Sequence, residues 1–244
     1  MAAALLTVMA ACTSSSPGGV SHSPTGGGRG SAGSPSASPS PSASPPGTGA
    51  IGYVGCSNSA AAVNGYHLVG GDLFWPFIRN YGGGTVTQWA DGIDQKSNQY
   101  WSAFTKQQQQ QPAHTFWLQL CATATEDQDN DDEALAIIAE IRRRVPDAVV
   151  YISPLNDWAA PHVCSICGPD GPTNMEADTV EVVATGEALE GPQLPALIAR
   201  CTSRECGVSS AGATIQNNQV ETDGCHPDTN GQLKFGESLE RFFG

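Results

Sequence analysis

The chain has 244 residues, with 24 acidic residues against 11 basic ones and a formal net charge of -13 at neutral pH. Phosphate binding needs a basic face, and Arg142, Arg143 and Arg144 form the only basic cluster of the sequence, so the composition argues against a nucleic-acid partner. It equally argues against electrostatic docking on an anionic membrane.

The first residues have the character of an export signal. Residues 1–11 are apolar apart from Thr7 and lead through Ala10 and Ala11 to Cys12. This segment is too short to span a bilayer. It resembles a bacterial lipoprotein signal peptide, which implies removal of residues 1–11 and lipidation of Cys12. An ordinary signal peptide and a chance apolar start are the alternatives.

A tether follows the signal and precedes the folded part. The stretch Thr13–Gly49 contains 12 Ser, 9 Gly and 7 Pro, which is typical of a disordered segment. We therefore predict three regions: a signal peptide over residues 1–11, a lipidated Cys12 with its tether over residues 12–49, and one folded domain over residues 50–244.

Apolar runs, periodicity and turn residues predict the elements of this domain. In chain order they are a strand at Ile51–Gly55, a helix-like segment at Leu68–Tyr81, an extended segment at Thr85–Trp89, a surface helix at Ser97–Gln111, a buried strand at Thr115–Leu120, a helix at Asp131–Val145, a buried strand at Ala148–Ser153, a helix at Ala177–Leu189 and a last helix at Thr229–Phe243. Loops are expected at Pro154–Pro172 and Cys201–Glu221.

The stretch from residue 115 to residue 153 indicates the fold class. A strand, a helix and a strand in that order form a βαβ unit, whose parallel sheet is covered on both faces. Acidic residues begin the helix and Arg142, Arg143 and Arg144 end it, which complements its dipole. We predict an α/β fold, a three-layer α/β/α sandwich with a central, mostly parallel sheet.

Seven cysteines follow Cys12, and in an exported protein they favour disulfides. They are Cys56, Cys121, Cys164, Cys167, Cys201, Cys206 and Cys225. Because the number is odd, at least one thiol is expected to stay unpaired. A structural zinc site on Cys164, Cys167, Cys201 and Cys206 is the alternative, since two thiolate pairs on two loops can hold that metal.

Two distant segments carry candidate catalytic residues. Ser57 directly follows the first predicted strand, and ligand sites of such sheets form at the carboxyl ends of strands. Asp223 and His226 stand three residues apart, so the carboxylate can hold one ring nitrogen while the other faces a nucleophile. If the fold joins the two ends, these residues form a triad for acyl transfer. The alternative is a loop serine and a turn histidine without such a role.

These segments, Val54-Gly-Cys-Ser57-Asn-Ser59 and Asp223-Gly-Cys-His226, resemble the SGNH hydrolases, or GDSL-type esterases and lipases. The resemblance implies a flavodoxin-like sheet, Ser57 as nucleophile, His226 as base and Asp223 as its partner. It also implies an oxyanion hole formed by the N–H groups of Ser57 and a glycine of the Gly82–Gly84 run, among which Gly84 is favoured.

Two positions depart from the family pattern. Cys56 stands where the family has an Asp, and the third block, expected at Cys121–Ala124, lacks its Asn. Gln119, Thr123, Asn130 or Asn156 could replace that donor. Cys56, Cys121 and Cys225 are expected to line one cleft, and we expect a disulfide between two of them, with Cys56–Cys225 favoured.

The sequence thus predicts an exported, membrane-anchored serine hydrolase that cleaves carboxylic esters, acts as a monomer and needs no cofactor or metal. The alternative is a binding module of the same fold, without turnover, for cell-wall or other glycans. His162 is expected to be a solvated loop residue, with a place in the lining of a substrate loop as the alternative. Four tryptophans are expected in the core or at its rim, with sugar stacking as the alternative for some: Trp75, Trp89, Trp101 and Trp117.

Overall fold

Four parallel strands form the central sheet of the computed structural model. They are β1 (Ala50–Val54), β2 (Ala113–Gln119), β3 (Val149–Ser153) and β4 (Leu189–Glu190), and they lie side by side in that order. Consecutive residues are buried over positions 51–54 of β1 and 116–119 of β2. Because neighbouring side chains point to opposite faces, both faces of the sheet are covered. The predicted α/β class is confirmed.

The structure describes residues 49–76, 83–127, 129–199, 218–221 and 223–244. All of them belong to one of the two units of the chain, Ser42–Gly244. The predicted signal peptide, the lipidated Cys12 and all of the tether except Gly49 lie outside these residues. So do Cys201, Cys206 and Gly82.

Six helices accompany the sheet in the described part of the chain. They are α1 (Ser57–Leu68), α2 (Val86–Asp91), α3 (Gln99–Gln110), α4 (Asp131–Arg144), α5 (Gly171–Ala184) and α6 (Thr229–Phe243). The predicted helices at 97–111, 131–145 and 229–243 are confirmed. Among the described residues, no helix has both the length and the apolar character that crossing a membrane requires.

Three predicted elements were wrong. The segment predicted at Leu68–Tyr81 is not helical over residues 69–76, and residues 77–81 lie outside the described residues. Phe74 pairs with Ile51 in a parallel bridge, and the Trp75 N–H donates to the Ile51 carbonyl. The extended segment at 85–89 is instead the start of α2, because the Thr85 hydroxyl accepts the N–H of Gln88 and caps the helix. Helix α5 begins at Gly171 and ends at Ala184, and Leu189 belongs to β4.

The Phe74 bridge sets the topology of the sheet. It places the segment that follows α1 on one edge of β1, whereas β2 lies on the other edge. The chain therefore changes direction across the sheet at β1. In open α/β sheets, ligand sites form at such a switch point, beyond the carboxyl end of the strand. The residues that follow β1 at this switch point are Gly55, Cys56 and Ser57.

An aromatic cluster fills the core beside β1 and β2. Trp75, Phe104 and Phe116 contact one another with ring centroids 5.3–5.7 Å apart. Trp89 and Trp101 meet edge to face at 5.0 Å. All four tryptophans named above are buried, at most 2% exposed, so they are core residues and none is available for sugar stacking.

Helices α1 and α6 pack against each other at two glycines. A Cβ on Gly65 would lie 1.7 Å from the Gln232 carbonyl oxygen, and one on Gly236 would lie 2.2 Å from the Gly65 carbonyl carbon. Only glycine permits this approach. The contact joins the helix that Ser57 begins to the helix that follows His226.

Candidate active site

Ser57 is the first residue of α1, one step beyond the N-cap Cys56. The turn between β1 and α1 is held through the Gly55 carbonyl oxygen, which accepts the indole N–H of Trp89 at 3.0 Å and the N–H of Gly84 at 2.9 Å. Behind it, the Ser59 hydroxyl accepts the Cys56 N–H at 3.0 Å and donates to Gln119 Oε1 at 2.7 Å. These bonds fix the backbone from which the Ser57 side chain projects.

Three residues from opposite ends of the chain form a continuous hydrogen-bonded relay. Ser57 Oγ lies 2.7 Å from His226 Nε2, and His226 Nδ1 lies 2.5 Å from Asp223 Oδ2. A carboxylate only accepts, so Nδ1 carries the proton and Nε2 is left to accept from the serine hydroxyl. The structure thus brings together all three residues that the sequence singled out.

Asp223 is held as a carboxylate. Burial alone would raise its pKa, but the hydrogen bond from the His226 ring and the N–H groups of Cys225 and His226 outweigh burial and lower the pKa below its ordinary value. Both N–H groups donate to Oδ1, at 2.9 and 3.0 Å. One oxygen therefore organises the backbone turn while the other orients the ring.

The turn that carries His226 is also attached to the loop after β3. His162 Nε2 donates to the Gly224 carbonyl oxygen at 2.6 Å, and Cys164 forms a disulfide with Cys225. The expectation that His162 is merely solvated was wrong. No local pattern marks this contact, because its two partners lie 62 residues apart in the sequence.

A cleft of about 200 Å³ opens beside Ser57 and His226. Its polar lining residues include Asn58, Thr85, Gln88 and Thr123, and its apolar lining residues include Ala122, Leu155 and Ile166. The Glu126 carboxylate joins two of the polar lining residues, since it accepts the Thr85 hydroxyl and the Thr123 N–H, both at 2.7 Å. The cleft is thus small and has both polar and apolar lining residues.

The assignment of Gly84 to the oxyanion hole needs correction. Its N–H donates to the Gly55 carbonyl oxygen and is not directed at the cleft. Gly83, its neighbour, lines the cleft and has a left-handed backbone with φ +60°. A Cβ there would lie 2.0 Å from the Cys56 carbonyl carbon, so Gly83 sits directly against the turn that presents Ser57.

Of the four proposed replacements for the third-block Asn, one reaches the cleft. Gln119 is bonded to Ser59 and Pro154 behind the turn, and Asn130 precedes α4 and bonds the Asp127 carbonyl. Asn156 accepts the side-chain N–H of Asn58 and is buried. Thr123 alone of the four is a cleft residue.

The cysteines pair differently from the favoured prediction. Cys56 bonds Cys121, and Cys164 bonds Cys225, so the Cys56–Cys225 pairing was wrong. The expectation that Cys56, Cys121 and Cys225 line one cleft is confirmed, as is a disulfide between two of them. The alternative zinc site is contradicted because Cys164 forms a disulfide with Cys225 and so supplies no thiolate. Among the described residues, no group of His, Cys, Asp and Glu side chains is arranged to hold a metal ion.

Comparisons with known proteins add little to this geometry. No family model and no curated protein matches the chain. A solved structure from Slackia heliotrinireducens, provisionally described as an SGNH hydrolase, is 16% identical and covers 81% of this chain and 100% of its own, with a TM-score of 0.44. A likeness with so low a TM-score does not indicate a function, so the proposal below rests on the geometry of the site.

Proposed function

We propose that the protein is a serine hydrolase of the SGNH type that cleaves carboxylic esters. The observation that carries this proposal is the relay from Ser57 through His226 to Asp223, with the serine at a helix N-terminus and at the wall of a cleft. A serine 2.7 Å from a histidine that a carboxylate orients is the arrangement that activates a hydroxyl for acyl transfer.

The reaction follows from the geometry. Ser57 Oγ attacks the ester carbonyl and passes its proton to His226 Nε2, which then delivers that proton to the departing alcohol. Asp223 stabilises the imidazolium between the two transfers. A water molecule repeats the sequence on the acyl-enzyme and releases the acid.

The oxyanion would be held by backbone N–H groups. The Ser57 N–H is among the first of α1, has no acceptor within the helix, and lies at the positive end of the helix dipole. Gly83 supplies the second N–H in this proposal, because it lines the cleft beside Ser57. Thr123 takes the third position, where the family pattern has an Asn.

The size of the cleft favours a short acyl group. Pockets for drug-sized ligands usually measure about 300–1,000 Å³. A cleft of about 200 Å³ that Ala122, Leu155 and Ile166 help to line suits an acyl chain of a few carbons. We therefore expect nitrophenyl acetate and butyrate to be cleaved, and long-chain esters to be poor substrates.

A fluorophosphonate probe tests the activated serine without a guess at the substrate. The unreduced full chain is labelled and the adduct is located by peptide mapping. Labelling is expected at Ser57 and is expected to disappear in Ser57→Ala and His226→Ala. The exposed Ser102→Ala on α3 is the matched control and should label like the parent. Absence of any adduct on folded protein would contradict the proposal.

A second candidate function is a binding module that has lost turnover. It is favoured by one observation, the absence of an Asn side chain at Cys121–Ala124, since loss of an oxyanion donor costs about 2.7–4 kcal/mol of transition-state stabilisation. Glycan-array binding distinguishes the two functions. A module without turnover would keep its glycan in Ser57→Ala and would not react with the probe.

We also propose that the protein is exported and anchored through a lipid on Cys12. The two disulfides of the described residues support an oxidising compartment. Cell fractionation tests the anchor: the parent protein is expected with the membranes, and Cys12→Ala is expected to leave them. Equal distribution of the two would contradict lipidation at Cys12.

A further inference from the structure

Three sulfur atoms meet at the wall of the cleft. The thiol of Cys167 lies 3.3 Å from Cys164 Sγ, and Cys164 is bonded to Cys225. Cys167 is the one free cysteine among the described residues. All three residues are buried, and Cys167 and Cys225 both line the cleft. A thiol at this distance from a disulfide is in position to attack it.

We propose that Cys164, Cys167 and Cys225 form a thiol–disulfide exchange centre. The Cys167 thiolate attacks Cys164 Sγ, a Cys164–Cys167 bond forms, and the Cys164–Cys225 bond breaks. Cys225 leaves as a thiolate and takes up the proton that Cys167 released. One disulfide replaces another, so the step needs no oxidant or reductant.

The local backbone accommodates the product as well as the reactant. Cys164 and Cys167 lie three residues apart in one turn, closed by the hydrogen bond from the Gly168 N–H to the Cys164 carbonyl at 3.0 Å. The Cys167 N–H also points at Cys164 Sγ, at 3.4 Å. The attacking and the attacked sulfur are therefore held together whichever partner Cys164 has.

The exchange would act on the histidine turn. Cys225 lies between Gly224 and His226, and its N–H bonds Asp223 Oδ1. Breaking the Cys164–Cys225 bond removes the covalent link between this turn and the loop after β3. The hydrogen bond from His162 to the Gly224 carbonyl oxygen then remains as a described contact between the two segments. It also places a free thiol beside His226. The two disulfide states therefore differ in whether the turn that carries His226 is covalently tied to the loop after β3.

Burial sets the rate of the exchange. It raises the pKa of the Cys167 thiol to about 11, so only a small fraction is thiolate at neutral pH. The rate follows the thiolate fraction. We expect it to rise about tenfold for each unit of pH until the pH approaches the pKa.

Disulfide mapping of the unreduced full chain tests the proposal. The protein is incubated at neutral and at mildly alkaline pH, quenched in acid, alkylated under denaturing conditions and digested. Two species are expected: one with Cys164 linked to Cys225 and Cys167 alkylated, the other with Cys164 linked to Cys167 and Cys225 alkylated. The second species should appear faster at the higher pH.

Variants identify the attacking thiol. In Cys167→Ser, Cys225 should never become alkylated, whereas Cys225→Ser should contain the Cys164–Cys167 bridge. The double variant Cys201→Ser/Cys206→Ser removes two other cysteines and should still exchange. Recovery of the Cys164–Cys225 bridge alone from the parent protein at every pH would overturn the proposal, and so would alkylation of Cys225 in Cys167→Ser. The parent mapping decides the matter even if a variant fails to fold.

Discussion

At the residue scale, Asp223 accepts hydrogen bonds from the backbone and from the His226 ring, and a carboxylate can accept both at once. One oxygen accepts two backbone N–H groups, and the other fixes the proton on His226 Nδ1. Its lowered pKa means that its contribution to stability is fully present above the ordinary Asp pKa. That contribution is lost as the pH falls through the lower pKa of the folded protein.

Asp223→Asn is therefore expected to keep the turn and lose the relay. The amide oxygen can still accept the backbone N–H groups, but the amide N–H₂ facing Nδ1 favours the other tautomer, in which Nε2 carries the proton. Turnover of a short-acyl ester should fall about 10³–10⁴-fold with an unchanged circular dichroism spectrum. A decrease below tenfold would mean that Asp223 does not orient the histidine.

Gly83→Ala probes the oxyanion hole through the backbone. A Cβ at φ +60° is strained and would lie against the Cys56 backbone, so the Ser57 turn must move. Turnover should fall about 10²–10³-fold, as for loss of an oxyanion donor. Gly186→Ala is the matched control, because Gly186 has φ +79° with open space around it. Equal kcat values for the two variants would remove Gly83 from the site.

At the element scale, the crossing of α1 and α6 brings the two halves of the triad together. An Ala in a helix interior is ordinarily more stable than a Gly by about 1 kcal/mol. Gly236→Ala should show the opposite sign and destabilise by about 1–3 kcal/mol, because its Cβ meets the Gly65 backbone. Urea denaturation measures this, with Gly49→Ala, which has open space, as the control. A stabilised Gly236→Ala would contradict the close contact.

Helix α5 carries a buried acid whose charge is unfavourable. Asp178 is 5% exposed, and burial, followed by the charges of Asp129, Asp131 and Glu181, raises its pKa to about 6, although the Asn130 N–H opposes the shift. The folded protein thus binds this proton more tightly than the unfolded chain does. Its stability falls as the pH rises from the unfolded pKa near 3.8 to about 6.

Asp178→Asn removes that charge while its amide oxygen can still accept the Asn130 N–H. Above pH 6 the variant should be more stable by about 1–2 kcal/mol. The gain should disappear in acid below the unfolded pKa. Thermal unfolding across this pH range measures both. A variant that is less stable at neutral pH would show that the charged form is favourable in the fold.

Local sequence patterns identified some elements correctly and misled for others. Helix α6 was bounded correctly because Asp228 caps it and its apolar spacing is regular. The segment at Thr85 was misassigned because its β-branched and aromatic residues suggest a strand, although the capping pair of Thr85 and Gln88 was readable. The strand-like bridge of Phe74 was missed because its partner, Ile51, is distant in the sequence and only tertiary packing joins them.

Some features of the site could likewise be predicted from the sequence, and others could not. Asp223 and His226 were predictable because they stand three residues apart on one turn, and Ser57 was predictable because it directly follows the first strand in a block that resembles the family pattern. Cysteine pairing and the tie from His162 were not, since each joins segments about 60 residues apart. The choice of Gly83 over Gly84 depends on which amide the Gly55 carbonyl engages, and no sequence pattern records that.

At the scale of the whole molecule, the two disulfides of the described residues close loops of similar length. Their cysteines are 65 and 61 residues apart. In the chain-entropy model each closure destabilises the unfolded state by about 4 kcal/mol. Full reduction should lower the urea midpoint, and Cys56→Ser/Cys121→Ser should by itself remove about 4 kcal/mol of stability. A midpoint insensitive to reductant would mean that neither bridge forms.

The Cys164–Cys225 disulfide also holds the two parts of the chain together when the backbone between the two cysteines is cut. A protease that cuts any peptide bond between Gly168 and Asp223 leaves the piece with His226 and α6 covalently joined to the rest. On a gel without reductant such a nicked protein still migrates as one chain. Once Cys164 bonds Cys167 instead, the same nick yields two separable fragments, so limited proteolysis would report which disulfide each molecule carries.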